Sequence, residues 1–304
     1  MKRILVTGSN GLLGQKLTDL CLSDPEIILI ATSKGPNRHP LDGSFIYEDM
    51  DILNLPQMEE IVEKHKPDVI INTAAMTNVD SCESDRETCY ALNVEAVKSL
   101  IGISERNDIQ LIHLSTDFIF DGESGPYSEE DRPNPLSYYG QTKLEAEELL
   151  KNSSCKWVIL RTIIVYGIVN DMSRSNIILW AKSALEKGEQ INVVDDQWRM
   201  PTLAEDLASC CLLAAKKNVQ GVFNASGKDM FSIIELVRKV AEYWGFDQSL
   251  IKPISSDSLK QAAKRPKRTG FILDKTERVL DYRPRSFQQG LAFVDAQLQA
   301  LSKK

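Results

Sequence analysis

Cysteine pairs, histidine clusters, long apolar runs and an excess of positive charge are all missing from this chain, and each absence removes a class of function. The six cysteines, at positions 21, 82, 89, 155, 210 and 211, contain no C-x-x-C pair. Only three histidines are present, His39, His65 and His113. Zinc-ligand spacing is therefore absent and no metal site is expected. Acidic residues outnumber basic ones, 43 to 36, for a net charge of −7. A duplex-nucleic-acid binder normally presents a basic face, so nucleic acid is not an expected partner. No apolar run approaches the ~20 residues needed to cross a bilayer, which removes a membrane-spanning role. The start, MKRILVTGSNGLLG, resembles a signal peptide for a few residues and then turns to glycines, so it reads as a first strand. Cys210 and Cys211 lie in the apolar stretch LASCCLLAA, where buried free thiols in a helix are expected. A reducing, cytoplasmic setting follows as the expectation.

What is present is alternation. Near-continuous Ile, Val and Leu runs at Arg3–Thr7, Ile27–Ala31, Asp68–Asn72, Gln110–Ser115 and Trp157–Thr162 read as strands buried on both faces. Helical patterns separate them at Leu12–Leu22, Leu55–His65, Arg86–Arg106 and Tyr138–Lys151. This predicts an α/β fold, a doubly wound parallel sheet of Rossmann type. Past Gly167 the rhythm changes. Helices are predicted at Ser175–Lys187, Leu203–Lys217 and Phe231–Trp244, with short apolar runs at Gln190–Val194 and Val222–Asn224. Ile251–Phe271, rich in Lys, Arg, Ser and Pro, reads as a loop. Residues 1–169 are assigned to a dinucleotide-binding domain. Residues 170–304 are assigned mainly to a smaller C-terminal substrate-binding lobe, with some segments returning to the large sheet.

The first strand runs directly into Gly8-Ser9-Asn10-Gly11-Leu12-Leu13-Gly14 and then a helix. Gly8 permits the tight turn, Gly11 lets backbone approach a pyrophosphate, and Gly14 lets helix and strand pack closely. The helix N-terminus offers N–H groups and a positive dipole end to phosphate. Asn10 and Leu12 belong to the same turn. After the second strand, where an acid would meet a ribose 2′-hydroxyl, the chain reads Ala31-Thr32-Ser33-Lys34, with Arg38 close by. Ser33 and Lys34 suit a 2′-phosphate, so NADP is favoured and NAD is the alternative. Asp51 and Ile52 either edge the adenine ring or, in the case of Asp51, simply start a helix. The strand candidate Asp68–Asn72 runs on into Thr73-Ala74-Ala75, and the small Ala74 and Ala75 leave room for a cofactor ring and ribose.

Tyr139 and Lys143 are four residues apart and share one helix face. An ammonium near a phenol lowers the phenol pKa and suits it to proton transfer. Tyr138 is turned away from Lys143 by its five-residue spacing. Thr116 sits at the carboxyl end of the strand Gln110–Ser115, where its hydroxyl can orient a substrate carbonyl. Asp117 adjoins it on the substrate side.

In this order T-G-S-N-G-L-L-G, N-T-A-A, S-T-D-F-I-F-D-G and Y-Y-G-Q-T-K resemble the extended short-chain dehydrogenase/reductase superfamily. Asp195-Asp196-Gln197-Trp198-Arg199-Met200-Pro201-Thr202, Asn78-Val79-Asp80-Ser81-Cys82-Glu83, and Arg265-Pro266 with Thr269-Gly270-Phe271 are similar to segments of the dTDP-4-dehydrorhamnose reductase family. The chain departs from that family at Arg199, usually glycine, and at Phe118, often tyrosine. Some members bridge a dimer through Mg²⁺ held by a carboxylate; Lys16 stands at that position, so no metal is carried over. The resemblance implies NADPH-dependent reduction of the 4-keto group of a nucleotide-diphosphate sugar, giving dTDP-L-rhamnose. Tyr139 would be the proton donor, Lys143 the ribose and phenol partner, and Thr116 the carbonyl partner. Arg199 and Arg265 are candidates to meet the substrate diphosphate, or else are ordinary surface charges. Two rival readings are a non-catalytic interaction subunit like that of methionine adenosyltransferase and a nucleotide-sugar epimerase. A homodimer is the expected assembly if one forms.

Overall fold

The computed structural model describes residues 1–41, 43–172, 175–259 and 261–302. Its centre is a seven-stranded sheet whose paired strands all run parallel. The strands are β1 (Lys2–Thr7), β2 (Ile27–Ser33), β3 (Ile46–Asp49), β4 (Val69–Asn72), β5 (Gln110–Thr116), β6 (Lys156–Thr162) and, at one edge, Gly221–Asn224. The edge strand lies beside β6, followed by β5, β4, β1, β2 and β3. The order reverses between β1 and β4, so a crevice opens beyond their carboxyl ends, where such sheets bind ligands. The apolar runs of β1, β4 and β5 are buried because helices cover both faces.

One covering layer joins the helix Leu12–Leu22 to the helix Ala204–Lys217, and Cys210 and Cys211 are buried there. The helices Leu55–His65, Ala96–Asn107 and Tyr138–Lys151 cover the other face through Met58, Val97, Leu100, Ala146 and Leu150. A third core lies outside the sheet. It joins the helices Ile177–Glu186, Ile233–Trp244 and Phe287–Leu301 to the parallel strand pair Ile191–Val194 and Ile251–Ile254. Thus Ala204–Lys217 and the edge strand Gly221–Asn224 return to the large sheet from the second half of the chain. All six cysteines are free and buried. Among the described residues, no helix is long and apolar enough to cross a membrane.

Three local expectations change. The segment read as a loop begins with the strand Ile251–Ile254; Lys252 and Pro253 are exposed at its edge, and they masked a short strand held by Ile251. Position 260 of that segment lies outside the described residues. The strand β3 has no apolar run, because an edge strand places Glu48 and Asp49 beside solvent. The single helix expected over Arg86–Arg106 is interrupted by a π-turn at Ala91–Glu95. That turn directs Asn93 inward, where its Oδ1 accepts from Met76 N at 2.9 Å and its Nδ2 donates to Met76 O at 3.0 Å.

Candidate active site

A cleft of ≈ 880 Å³ opens at the sheet's switch point. Its inner end is the glycine turn. Gly8 has a φ of +66°, and a Cβ there would meet Ala74 N at 3.0 Å. At Gly14 a Cβ would sit 2.4 Å from Gly8 O, so only glycine lets the helix start against the strand. Gly11 is the N-cap of Leu12–Leu22 and no side chain caps that helix. Its first-turn N–H groups thus face the cleft beside Gly8, Gly11 and Leu12. Asn10 braces the turn: Nδ2 donates to Pro36 O at 2.9 Å, and Oδ1 accepts from Arg38 N at 2.9 Å. These residues fit a dinucleotide pyrophosphate.

Ser33, Lys34, Arg38, Asp51 and Ile52 line the far side of this end. Lys34 pairs with Asp51 at 2.7 Å while its side chain stays 78% exposed. The Asp51 carboxylate also accepts from Leu53 N at 3.0 Å, so it serves both as a turn cap and as the lysine's partner. Ala74 and Ala75 line the floor.

Thr116, Tyr139 and Lys143 converge on the middle of the cleft. Ser137 caps the helix Tyr138–Lys151 by accepting from Gly140 N at 3.2 Å. A Cβ at Gly140 would lie 2.2 Å from Phe118 O, so glycine allows the helix to seat against the turn that follows Thr116. The buried pair Arg161–Glu147 locks the same helix to β6 through bonds of 3.0 and 2.8 Å. Burial pushes the Tyr139 phenol well above its ordinary range, opposed by its hydrogen bond with the Thr116 side chain. Burial also lowers the Lys143 amine to about 8. The expected effect of Lys143 on the phenol is therefore not what dominates here. The Lys143 Nζ instead lies 3.1 Å from His113 Nε2. The result is a phenol kept protonated, the form required of a proton donor.

The outer wall carries Asp117, Arg199 and Arg265. Asp117 is buried, and burial raises its pKa against the pull of Arg199 and of the Thr269 hydroxyl. Arg199 Nε lies 3.6 Å from Asp117 Oδ2. Its guanidinium also donates to the carbonyls of Trp198, Lys267 and Pro266, at 2.7, 3.2 and 2.6 Å. It is a buried clasp between the Trp198–Arg199 strand and the 266–268 segment. Arg265 grips Asp80 with two bonds, of 2.6 and 3.2 Å, from a less enclosed position. Sequence reasoning does not reach His113, Asn93 and Asp80 as site residues. A lone His inside the apolar run QLIHLST was the available signal for the first.

The chain matches the family model described as "RmlD substrate binding domain" over residues 1–300. It is 30% identical to a dTDP-4-dehydrorhamnose reductase of Aggregatibacter actinomycetemcomitans over 308 residues, covering 97% of this chain and 99% of that one. It is 28% identical to methionine adenosyltransferase 2 subunit beta of Rattus norvegicus, covering 91% and 82%. Among solved structures, a dTDP-4-dehydrorhamnose reductase of Bacillus anthracis in complex with NADP aligns with a TM-score of 0.84 at 26% identity, covering 98% and 100%.

Proposed function

The chain belongs to the RmlD substrate-binding-domain family, and we propose that it is an NADPH-dependent oxidoreductase, with NADH as the alternative cofactor. Its substrate class is a nucleotide-diphosphate 4-ketosugar, and the specific reaction is dTDP-4-dehydro-L-rhamnose to dTDP-L-rhamnose. The observation that carries this reading is the meeting of Thr116, Tyr139 and Lys143 in one cleft with the glycine turn. Gly8, Gly11 and Gly14 would hold a nicotinamide dinucleotide, which would supply the hydride for the carbonyl carbon. Thr116 Oγ1 donates to the carbonyl oxygen and fixes its orientation. Tyr139 delivers a proton to that oxygen as negative charge develops on it. Lys143 presents its ammonium to the ribose hydroxyls and to the phenolic oxygen left after proton transfer. The buried surroundings exclude water and strengthen each of these contacts.

The test is NADPH oxidation followed by absorbance, with dTDP- and UDP-linked 4-ketosugars. Turnover with the dTDP sugar is expected. Cofactor binding without turnover of any ketosugar would replace the reductase reading with an interaction role, of the kind the similarity to methionine adenosyltransferase 2 subunit beta suggests. Tightly held NAD in the purified protein would replace it with an epimerase.

A further inference from the structure

A single row of buried polar side chains crosses the sheet at the floor of the cleft, which its two end members, Thr7 and Lys143, line. Thr7, Asn72 and His113 are register partners on the adjacent parallel strands β1, β4 and β5, so they leave the same sheet face at one level. Thr7 Oγ1 lies 2.6 Å from Asn72 Oδ1, Asn72 Nδ2 lies 3.2 Å from His113 Nδ1, and His113 Nε2 lies 3.1 Å from Lys143 Nζ. All four side chains are buried. The row begins at the residue before Gly8 and ends on the amine that the proposed chemistry uses. Buried polar groups cost stability unless each is paired, and a leucine would fill the space at 113 without that demand.

We propose that His113 is a positioning residue: its Nε2 holds the Lys143 amine in place and, through Asn72 and Thr7, fixes that amine relative to the glycine turn. The inference rests on the reductase reading for the role of Lys143.

Proton counting makes the row sensitive to the charge on Lys143. A neutral imidazole has one N–H and one lone pair in its ring plane. Facing an ammonium, Nε2 must accept, Nδ1–H must donate, and the oxygen of the Asn72 amide must turn toward His113. Facing a neutral amine, Nε2–H donates, Nδ1 accepts from the Asn72 amide nitrogen, and the Asn72 oxygen accepts from Thr7. The other titratable groups acting on Lys143 are Glu147, on its own helix, and Cys89, on the helix Arg86–Tyr90; both favour its charged form. Lys143 is in turn the charged group acting on His113.

Two substitutions separate the two ring nitrogens. In His113→Gln the side-chain amide reaches the position of Nε2, whereas in His113→Asn it reaches only that of Nδ1. His113→Leu removes both. The full chain would be assayed for NADPH dissociation constant by fluorescence, for kcat/KM against pH, and for melting temperature. For His113→Leu the dissociation constant should rise about tenfold, as for loss of one hydrogen bond to a charged group. The alkaline limb of kcat/KM should move to lower pH by about one unit, since the ammonium loses an acceptor. Gln should restore both readouts to within about twofold, and Asn should restore neither. Thr7→Val, a near-isosteric change at the far end of the row, should raise the dissociation constant in the same direction by less and move the alkaline limb with it; because Thr7 also lines the cleft, that limb decides the matter if His113→Leu does not fold. The proposal falls if Gln and Asn behave alike, or if all variants keep the native dissociation constant and pH limb. It also falls if the effects follow melting temperature alone. Wild-type protein that binds NADPH but reduces no ketosugar would end the reductase reading instead, and the binding arm would still decide the role of the row.

Discussion

The two ends of the cleft solve different problems. At the glycine turn the surface is glycine, alanine and open helix N–H groups, and the polar side chains beside it point back into the chain: Asn10 to Pro36 and Arg38, Thr73 to Thr7 O at 2.6 Å. At the outer end the surface is charge, and the charge is already used. Arg199 bonds three backbone carbonyls and neighbours Asp117, while Arg265 bonds Asp80. The glycine turn is complete before a ligand arrives. The outer end can receive an anion only where an internal bond can be exchanged. The half-buried Arg265–Asp80 pair can exchange more readily than the enclosed Arg199 clasp, because separating a buried pair leaves a charge without solvent.

The deepest loss of activity is expected between these ends, at Tyr139. Tyr139→Phe removes one hydroxyl and little volume, so fold and cofactor binding should persist while ketone reduction drops by about 10²–10⁴. Tyr138→Phe is the control. Its ring lies under Arg86 at 4.7 Å, on another side of the helix, and activity should stay near wild type. Single-turnover rates for both variants check this. A Tyr138 variant that lost activity while the Tyr139 variant kept it would reverse the register of the site.

The next effect sharpens the contrast at the outer end. Arg199→Met should destabilise the protein by about 3–5 kcal/mol, since Asp117 and three carbonyls lose a buried partner. Arg265→Met should change stability by about 1 kcal/mol or less, the range of partly exposed pairs, while raising KM for the nucleotide sugar. Denaturant titration and initial rates distinguish them. Equal stability losses in the two variants would remove the distinction drawn between clasp and exchangeable pair.

A third effect is in pH. The Lys143 amine, lowered to about 8, is charged below that pH and neutral above it. The contribution of its charge to kcat/KM is therefore present on the acid side and lost as pH rises through about 8. A pH–rate profile flat to well above this value would show that the charge on Lys143 is not used.

The contrast between the two ends also explains what could be read in the sequence. The glycine turn was legible because steric need leaves one residue type available: the 2.4 Å approach at Gly14 admits no side chain. The Tyr139/Lys143 face was legible because helical spacing is a local property. The states of Arg199 and Arg265 were not, because their partners Pro266, Lys267 and Asp80 lie 67, 68 and 185 residues away in the chain. Charge shows in a sequence; its neutralisation by distant partners does not. The row through His113 was hidden for the same reason, since it exists only once β1, β4 and β5 stand side by side.

The smallest effect concerns cofactor choice. Lys34 is exposed and tied to Asp51, so it is available to a 2′-phosphate only by sharing or leaving that partner. Surface pairs of this kind carry at most ~1 kcal/mol, so the lysine can supply only a modest part of any NADPH preference. Lys34→Asp places a second carboxylate beside Asp51 and opposite the 2′-phosphate position. Repulsion should then move the NADPH to NADH ratio of kcat/KM toward NADH by about fivefold, the equivalent of ~1 kcal/mol. Stability should change little, because the side chain at this position is solvated. The matched variant Asp51→Asn frees Lys34 without adding charge, and its ratio should move slightly the other way, toward NADPH. If both variants moved the ratio in the same direction, the Lys34–Asp51 pair would not be setting it, and Arg38, which lines the same end of the cleft, would become the cation to examine.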